Sequence, residues 1–350
     1  MIIDNISSKV IRAVARDLFG NASEVGSIEQ LESGVSNICY KISLRDVPKS
    51  YVFRFSKRPN EDRHEYELQH YKLISHATDV PVPNIIKIDR SKQIAPTSYM
   101  IYEYLAGEPW EELCHSDDRR ATREEKPYIL QKTGQFFAQV HRITRRKEEV
   151  PPDDDSREFS HHHIFLRDEE HAGWEATYLL RRLSRIMHKV CCGDLPIPAE
   201  KIERCRDAMV EERLWETDPL SLCLSDTEIF YTRRLTSWEL AFILDIECVH
   251  YRIPYFDLWP FLGGADALWD FESPQIDLDP KKIAKAPFYV GYQQIAPLDI
   301  ERFLYLAPYY QLCIFGDIFK PHQPSNWHRL TIKNNLATIE KLVDVIVSRA

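Results

Sequence analysis

Five apolar residues in a row, Leu240, Ala241, Phe242, Ile243 and Leu244, end on a carboxylate, Asp245. A short apolar run bounded by polar residues reads as a buried strand, and a strand that ends on an acid carries that acid to the rim of its sheet. Leu222, Cys223 and Leu224 do the same more briefly ahead of Asp226, and a third acid, Asp257, follows. The pattern predicts two acids at the mouths of neighbouring strands, able to hold a divalent metal and orient a hydroxyl. Phosphoryl transfer needs both, because its transition state is stabilised by positioning and by cations. The same acids also suit strand ends or arginine partners.

A length of 350 residues suits one large domain or two modest ones. The net charge of −9 and a pI near 5.8 disfavour a nucleic-acid partner. No apolar run approaches the roughly 20 residues of a membrane-spanning helix. The first residues are amphipathic, without the basic start and long apolar run of a secretion signal, so a cytoplasmic location is expected. The eight cysteines contain no CxxC and read as reduced thiols. His161, His162 and His163 read as a polar loop, since metal sites seldom use consecutive residues of one tract.

Along the chain, Ser8 is placed to cap a first helix with Val10, Ile11, Val14, Leu18 and Phe19 on one face. A strand, a turn at Gly34 and a second strand follow, in which Ile38, Tyr40 and Ile42 alternate with Cys39 and Lys41. Residues 51–55 form a third strand carrying Arg54. A helix over 61–76, with Tyr66, Leu68, Tyr71, Leu73 and Ile74 as its apolar face, is broken by Pro81 and Pro83. Strands from 85 and from 99 close this strand-rich half. The remainder reads as helical, with helices over 128–143, 174–192, 198–215, 303–319 and 330–348 and a charged linker at 148–156.

The order of these pieces carries a resemblance. ESGVSNICYKI, YVFRF, a helix with an internal glutamate, MIYEYLAGEPW and GQFFAQVHRI precede the two acid-bearing segments. In that order they resemble the aminoglycoside phosphotransferase and choline kinase-like family, relatives of the protein kinases. The resemblance implies an α+β, bilobal protein-kinase-like fold. Residues 1–105 would form a small antiparallel-sheet N-lobe, and 106–350 a mostly helical C-lobe with a catalytic and metal region at 221–261. It implies ATP and Mg²⁺ as cofactors and a small-molecule hydroxyl as acceptor. Ser33, Gly34, Ser36 and Asn37 would form the turn over the phosphates, where glycine lets the backbone approach. Arg54 would bind phosphate through two guanidinium donors. Glu67, or Glu65 one helix register away, would aim it. Glu103, Tyr104 and Leu105 would be the hinge that meets adenine. Asp245 would hold Mg²⁺, Asp226 would accept the acceptor's proton, and Asp257 would brace the catalytic loop.

That loop departs from the family's His-Gly-Asp, with an Asn five residues after the Asp. Leu224 stands at the His and Tyr231 at the Asn, and the apolar run already begins at Ile229. Glu228 is the candidate replacement metal ligand, since a carboxylate is a hard donor for Mg²⁺. Two alternatives follow from the altered loop. One is a catalytically silent kinase-like protein that binds nucleotide or a partner. The other is the same fold used for small-molecule chemistry without ATP.

Overall fold

The computed structural model describes residues 3–349 apart from 4, 21–23, 32–35, 46, 59–62, 116–120, 123, 147–148, 150–182, 184–185, 194, 212–218, 225–226, 235–236, 247–248, 259–278 and 319–331. Its elements begin with α1 (Ser8–Phe19), β1 (Val25–Gln30), β2 (Asn37–Leu44), β3 (Ser50–Ser56), α2 (His64–Ala77), β4 (Ile85–Asp89), β5 (Tyr99–Glu103) and β6 (Glu108–Pro109). Next come α3 (Trp110–His115), α4 (Lys126–His141), β7 (Thr144–Arg145), α5 (Ala199–Glu211), β8 (Leu220–Cys223), β9 (Glu228–Arg234) and β10 (Ser237–Leu244). β11 (His250–Arg252), α6 (Tyr255–Leu258), α7 (Pro280–Ile283), α8 (Pro287–Gln293), α9 (Ile300–Ile318) and α10 (Ile332–Arg349) complete the described chain. The helix expected over 174–192 lies largely outside the described residues, as do His161 to His163.

The chain packs as two compact units, Met1–Trp110 with Asp226–Glu247, and Glu111–Ser225 with Cys248–Ala350. The segment 221–261, one region in the sequence reading, is therefore divided between them. The β9–β10 hairpin belongs with the first unit because β9 pairs with β6 through Tyr231–Glu108 and Phe230–Pro109.

In the first unit, five strands form an antiparallel sheet in the order β1-β2-β3-β5-β4. Alternation sorts its side chains onto two faces. Ile38, Tyr40, Ile42, Tyr51, Phe53, Phe55, Tyr99 and Ile101 pack with Ile11, Val14 and Ala15 of α1 into the main core. The capping residue of α1 is Ser7 rather than Ser8: its hydroxyl accepts from Val10 N at 3.4 Å, so the helix starts one residue after the cap. On the opposite face Val52, Met100 and Tyr102 are buried among half-buried Leu31, Cys39, Ile85, Ile88, Tyr104 and Leu244. The hairpin joins through Gly107, where a Cβ would stand 3.1 Å from both Phe230 and Phe242, two rings stacked at 4.6 Å.

In the second unit, α4 and α8 cross backbone to backbone. A Cβ on Gly134 would fall on the carbonyl of Phe288, and one on Gly291 on the carbonyl of Gln131. Both obstacles are main chain, which cannot rotate aside. β7, β8 and β11 form a small antiparallel sheet beside this crossing, with His250 opposite Cys223 and Thr144 opposite Ser221. Asp226 and Asp245 thus do not follow neighbouring strands. β8 and β10 lie in different sheets, because β9 intervenes in sequence and takes β10 as its own partner.

Gly134→Ala and Gly291→Ala are each expected to destabilise the fold by about 1–3 kcal/mol through overpacking. Gly26→Ala, whose Cβ would meet nothing nearer than 3.4 Å, is expected to change it little. The midpoint of thermal unfolding measures both.

Candidate functional site

Arg54 shares the parity of Val52 on β3 and so projects onto the face away from α1. It is only 6 % exposed. A guanidinium so buried is tolerated only with partners, and it has three. Nη1 donates to Glu67 Oε2 at 2.5 Å and Nη2 to Asp245 Oδ1 at 2.9 Å. With its amide turned so that oxygen faces the guanidinium, Asn37 accepts from Nη2 at 2.6 Å and Nε at 3.1 Å.

Glu67 reaches Arg54 because α2 buries the stripe His64, Glu67, Tyr71 and Ile74. The face expected from the apolar residues alone is displaced, since Tyr66, Leu68 and Leu73 are only half-buried. Two residues away, Glu65 is exposed and stands 3.9 Å from Arg90.

Asp245 ends β10 with φ 58°. This left-handed conformation is uncommon outside glycine, and aspartate is among the residues that adopt it most readily. Its side chain is 41 % exposed, so the carboxylate that holds Arg54 also faces solvent. Glu228 opens β9 directly opposite Leu244, the residue before Asp245, and is exposed. The hairpin thereby brings both acids to one end. Tyr231, at the family's Asn position, is fully buried between β10 and β6 and offers no ligand there.

Around this group lies the apolar set of buried Val52, Met100 and Tyr102 with their half-buried neighbours. Cys39 belongs to it. Burial pushes its thiol up to about 11, against the pull of Arg54 and with the help of Asp245, Glu228 and Glu67. The alternation of β2, which puts Cys39 and Lys41 opposite Ile38 and Tyr40, was the signal for it. At the outer edge, Glu103 pairs with Lys49 at 2.7 Å, Tyr104 N donates to Ser50 O at 2.8 Å, and Lys41 Nζ lies 4.1 Å over the Tyr104 ring. Leu105 is 36 % exposed. Ser36 is half-buried and its carbonyl accepts from Lys57 N at 2.8 Å. Ser33, Gly34 and Asp226 lie outside the described residues. In the second unit Asp257 is buried, and its Oδ2 accepts from Leu224 N at 2.5 Å.

The sequence model of the phosphotransferase enzyme family, APH, matches residues 27–298. The chain belongs to this phosphotransferase family and has its protein-kinase-like α+β fold. Among solved structures, one from Ralstonia eutropha JMP134, assigned to the aminoglycoside phosphotransferases, is 14 % identical with a TM-score of 0.60, covering 98 % of each chain. Spectinomycin phosphotransferase APH(9)-Ia, solved with ADP and spectinomycin, is 12 % identical with a TM-score of 0.53, covering 99 % of this chain and 100 % of its own. Aminoglycoside phosphotransferase APH(4)-Ia is 12 % identical with a TM-score of 0.51, covering 98 % and 99 %. No curated protein matches the chain significantly in sequence.

Burial and the charge of Arg54 hold His64, 1 % exposed, neutral, with its pKa pushed down to about 3. The unfolded chain takes up that proton near pH 6.5. Unfolding therefore binds a proton between these values, and stability falls as the pH drops below about 6.5. The midpoint of urea unfolding is expected to decline between about pH 7.5 and 5.5, and to decline less steeply in His64→Gln.

Proposed function

We propose that the protein transfers the γ-phosphoryl group of ATP to a hydroxyl of a small molecule, with Mg²⁺, in the cytoplasm. The observation that carries this reading is the buried Arg54, held by Glu67 and Asp245 on the sheet face away from α1, in a chain that belongs to a phosphotransferase family. The complex of spectinomycin phosphotransferase with ADP and spectinomycin supports both the nucleotide and the small-molecule acceptor.

In this reading 1–105 binds the nucleotide, and 106–350 supplies the acceptor site and, from 221–261, the metal ligands and the proton acceptor. Arg54 offers phosphate oxygens its guanidinium donors, and Glu67 fixes its aim. Ser33, Gly34, Ser36 and Asn37 line the phosphate turn. Glu103, Tyr104 and Leu105 meet the adenine edge, and half-buried Cys39 and Leu244, packed on buried Val52, Met100 and Tyr102, give its ring an apolar surface. Asp245 and Glu228 suit Mg²⁺, being hard oxygen donors at one end of one hairpin. When bound, that ion neutralises charge on the phosphates. Asp226 accepts the proton of the acceptor hydroxyl.

The charge count argues for the metal. Arg54 is held by two carboxylates, Glu67 and Asp245, and Glu228 lies at the same end of the hairpin as Asp245, so a bare polyanion would meet a surplus of negative charge among these groups. A second reading, a catalytically silent nucleotide-binding protein, is favoured by Leu224 at the His position and the buried Tyr231.

A ligand at about 100 times its dissociation constant adds roughly 2.7 kcal/mol of stability. ATP or GTP with Mg²⁺ is therefore expected to raise the melting midpoint, and Asp245→Ala to lose that rise. Asp226→Ala is expected to keep the rise and lose turnover. A rise without turnover in the wild type would select the silent reading, and no rise with either nucleotide would refute both. Mg·ATP is further expected to slow alkylation of Cys39 but not of exposed Cys191, read by peptide mass spectrometry.

A further inference from the structure

An imidazole and a thiol meet at one exposed place in the second unit that the proposed reaction does not use. Residues 186–191 are helical, and their last turn is closed by the Cys192 N–H, which donates to His188 O at 2.9 Å. That bond fixes the i, i+4 spacing, so the side chains of His188 and Cys192 lie on one face of the helix. Both residues are exposed. Cys192 Sγ stands 3.6 Å from His188 Nε2 and 3.9 Å from Nδ1. Cys191 is also exposed, but it sits one position back, about 100° round the helix.

The backbone beneath the pair is held. Gly193 follows with φ 78°, the left-handed conformation that ends many helices, and its N–H donates to Val190 O at 3.0 Å. Leu195 N then donates back to Lys189 O at 3.3 Å, and the Leu195 side chain is buried. The separation of the two donor atoms suits a metal. Zn–S bonds of about 2.3 Å and Zn–N bonds of about 2.0–2.1 Å, meeting at the tetrahedral angle, put sulfur and nitrogen about 3.5 Å apart. Two ligands at i and i+4 on one helix is also the spacing by which helical zinc sites hold their ion. A second cluster, His141, Cys223 and Asp257, has its ligand atoms within 4.8 Å of one another but is closed. All three are buried; His141 is bonded to Tyr292 Oη at 3.0 Å and to Asp257 Oδ2 at 3.1 Å, and the Cys223 thiol donates to Ile253 O at 3.6 Å. The exposed pair is open on its outer side.

We propose that His188 and Cys192 chelate a zinc ion on this exposed helix end. An imidazole nitrogen and a thiolate fill two of the four tetrahedral positions, and water fills the others. The thiolate is the ligand, so binding releases the Cys192 proton to solvent. Nitrogen and sulfur donors select zinc over magnesium, which takes oxygen ligands. The site is therefore separate in chemistry from the pair Asp245 and Glu228, and it stands whether or not the phosphotransfer reading does. Cys191 lies on the adjoining face and takes no part, which makes it the matched control: a second exposed thiol of the same turn.

Titration of the reduced full chain with Co²⁺ tests the idea, in excess Mg²⁺ so that hard oxygen sites are filled. Cobalt takes the place of zinc and reports a bound thiolate by sulfur-to-metal charge-transfer absorption. The absorption is expected to saturate at one ion per chain and to vanish when Zn²⁺ is added. Cys192→Ser is expected to abolish it. His188→Ala should weaken binding by more than the roughly tenfold that loss of an outer-shell partner costs. Cys191→Ser should leave it unchanged. Both ligands are exposed, so neither substitution is expected to move the melting midpoint without metal. Absence of the absorption in the wild type would overturn the proposal. So would absorption that persists in Cys192→Ser, which would put the ion on Cys191 or on the buried Cys223, and so would unchanged affinity in His188→Ala.

Discussion

The first unit is organised around one buried positive charge. Arg54 draws together Asn37 at the start of β2, Glu67 on α2 and Asp245 at the end of β10, the last 191 residues away in the chain. Within a low-dielectric interior such a charge is stable only if its neighbours are placed to meet it, and removing one partner of a buried pair typically costs about 3–5 kcal/mol. The pairing is therefore a constraint on the backbone as much as an interaction. It sets the rotation of α2, which must present a glutamate where an apolar stripe would otherwise continue, and it gives Asp245 a partner in its left-handed conformation.

Much of this was legible in the sequence. Arg54 among apolar neighbours, the alternation of Ile38, Tyr40 and Ile42, and the acid-ended run before Asp245 are local patterns, and local patterns survive folding. What stayed open or failed depended on phase or on distant partners. Glu65 and Glu67 differ only by helix register, which is fixed by packing against Arg54 and not by the apolar residues of α2. Ser7 and Ser8 are both good caps, and only the observed hydrogen bond separates them. The expectation of neighbouring strands under Asp226 and Asp245 overlooked that β9 would pair with β10 and carry the hairpin into another sheet. His141 stood in GQFFAQVHRI with no role assigned to it. A histidine in the last turn of a helix usually reads as a favourable charge at the dipole, and its actual partners lie 116 and 151 residues onward.

The two departures of the catalytic loop mean different things once placed. Leu224, at the position where the resemblance expects a histidine, gives its backbone N–H to Asp257 and buries an apolar side chain. Tyr231, at the position where the resemblance expects an asparagine, sits inside a sheet, paired with Leu240 and Glu108. The strand begins early, and the acid at its first position, Glu228, takes the end of the hairpin that faces out. In the proposed reaction, with Glu228 as a metal ligand, the shortened loop and the new donor would be one change seen twice.

The crossing of α4 and α8 has a consequence for how this chain can vary. Gly134 meets the carbonyl of Phe288, and Gly291 meets that of Gln131, in each case main chain against main chain. Contacts of this kind read nothing from the side chains around them, so the crossing itself leaves the flanking positions to vary as far as their own burial allows. The helices are not free at the two glycines, where a first substitution at either site is penalised whatever the other holds. Mutational paths through this pair therefore run uphill from both ends. A library that randomises the two helices would be expected to return diverse neighbours around two invariant points.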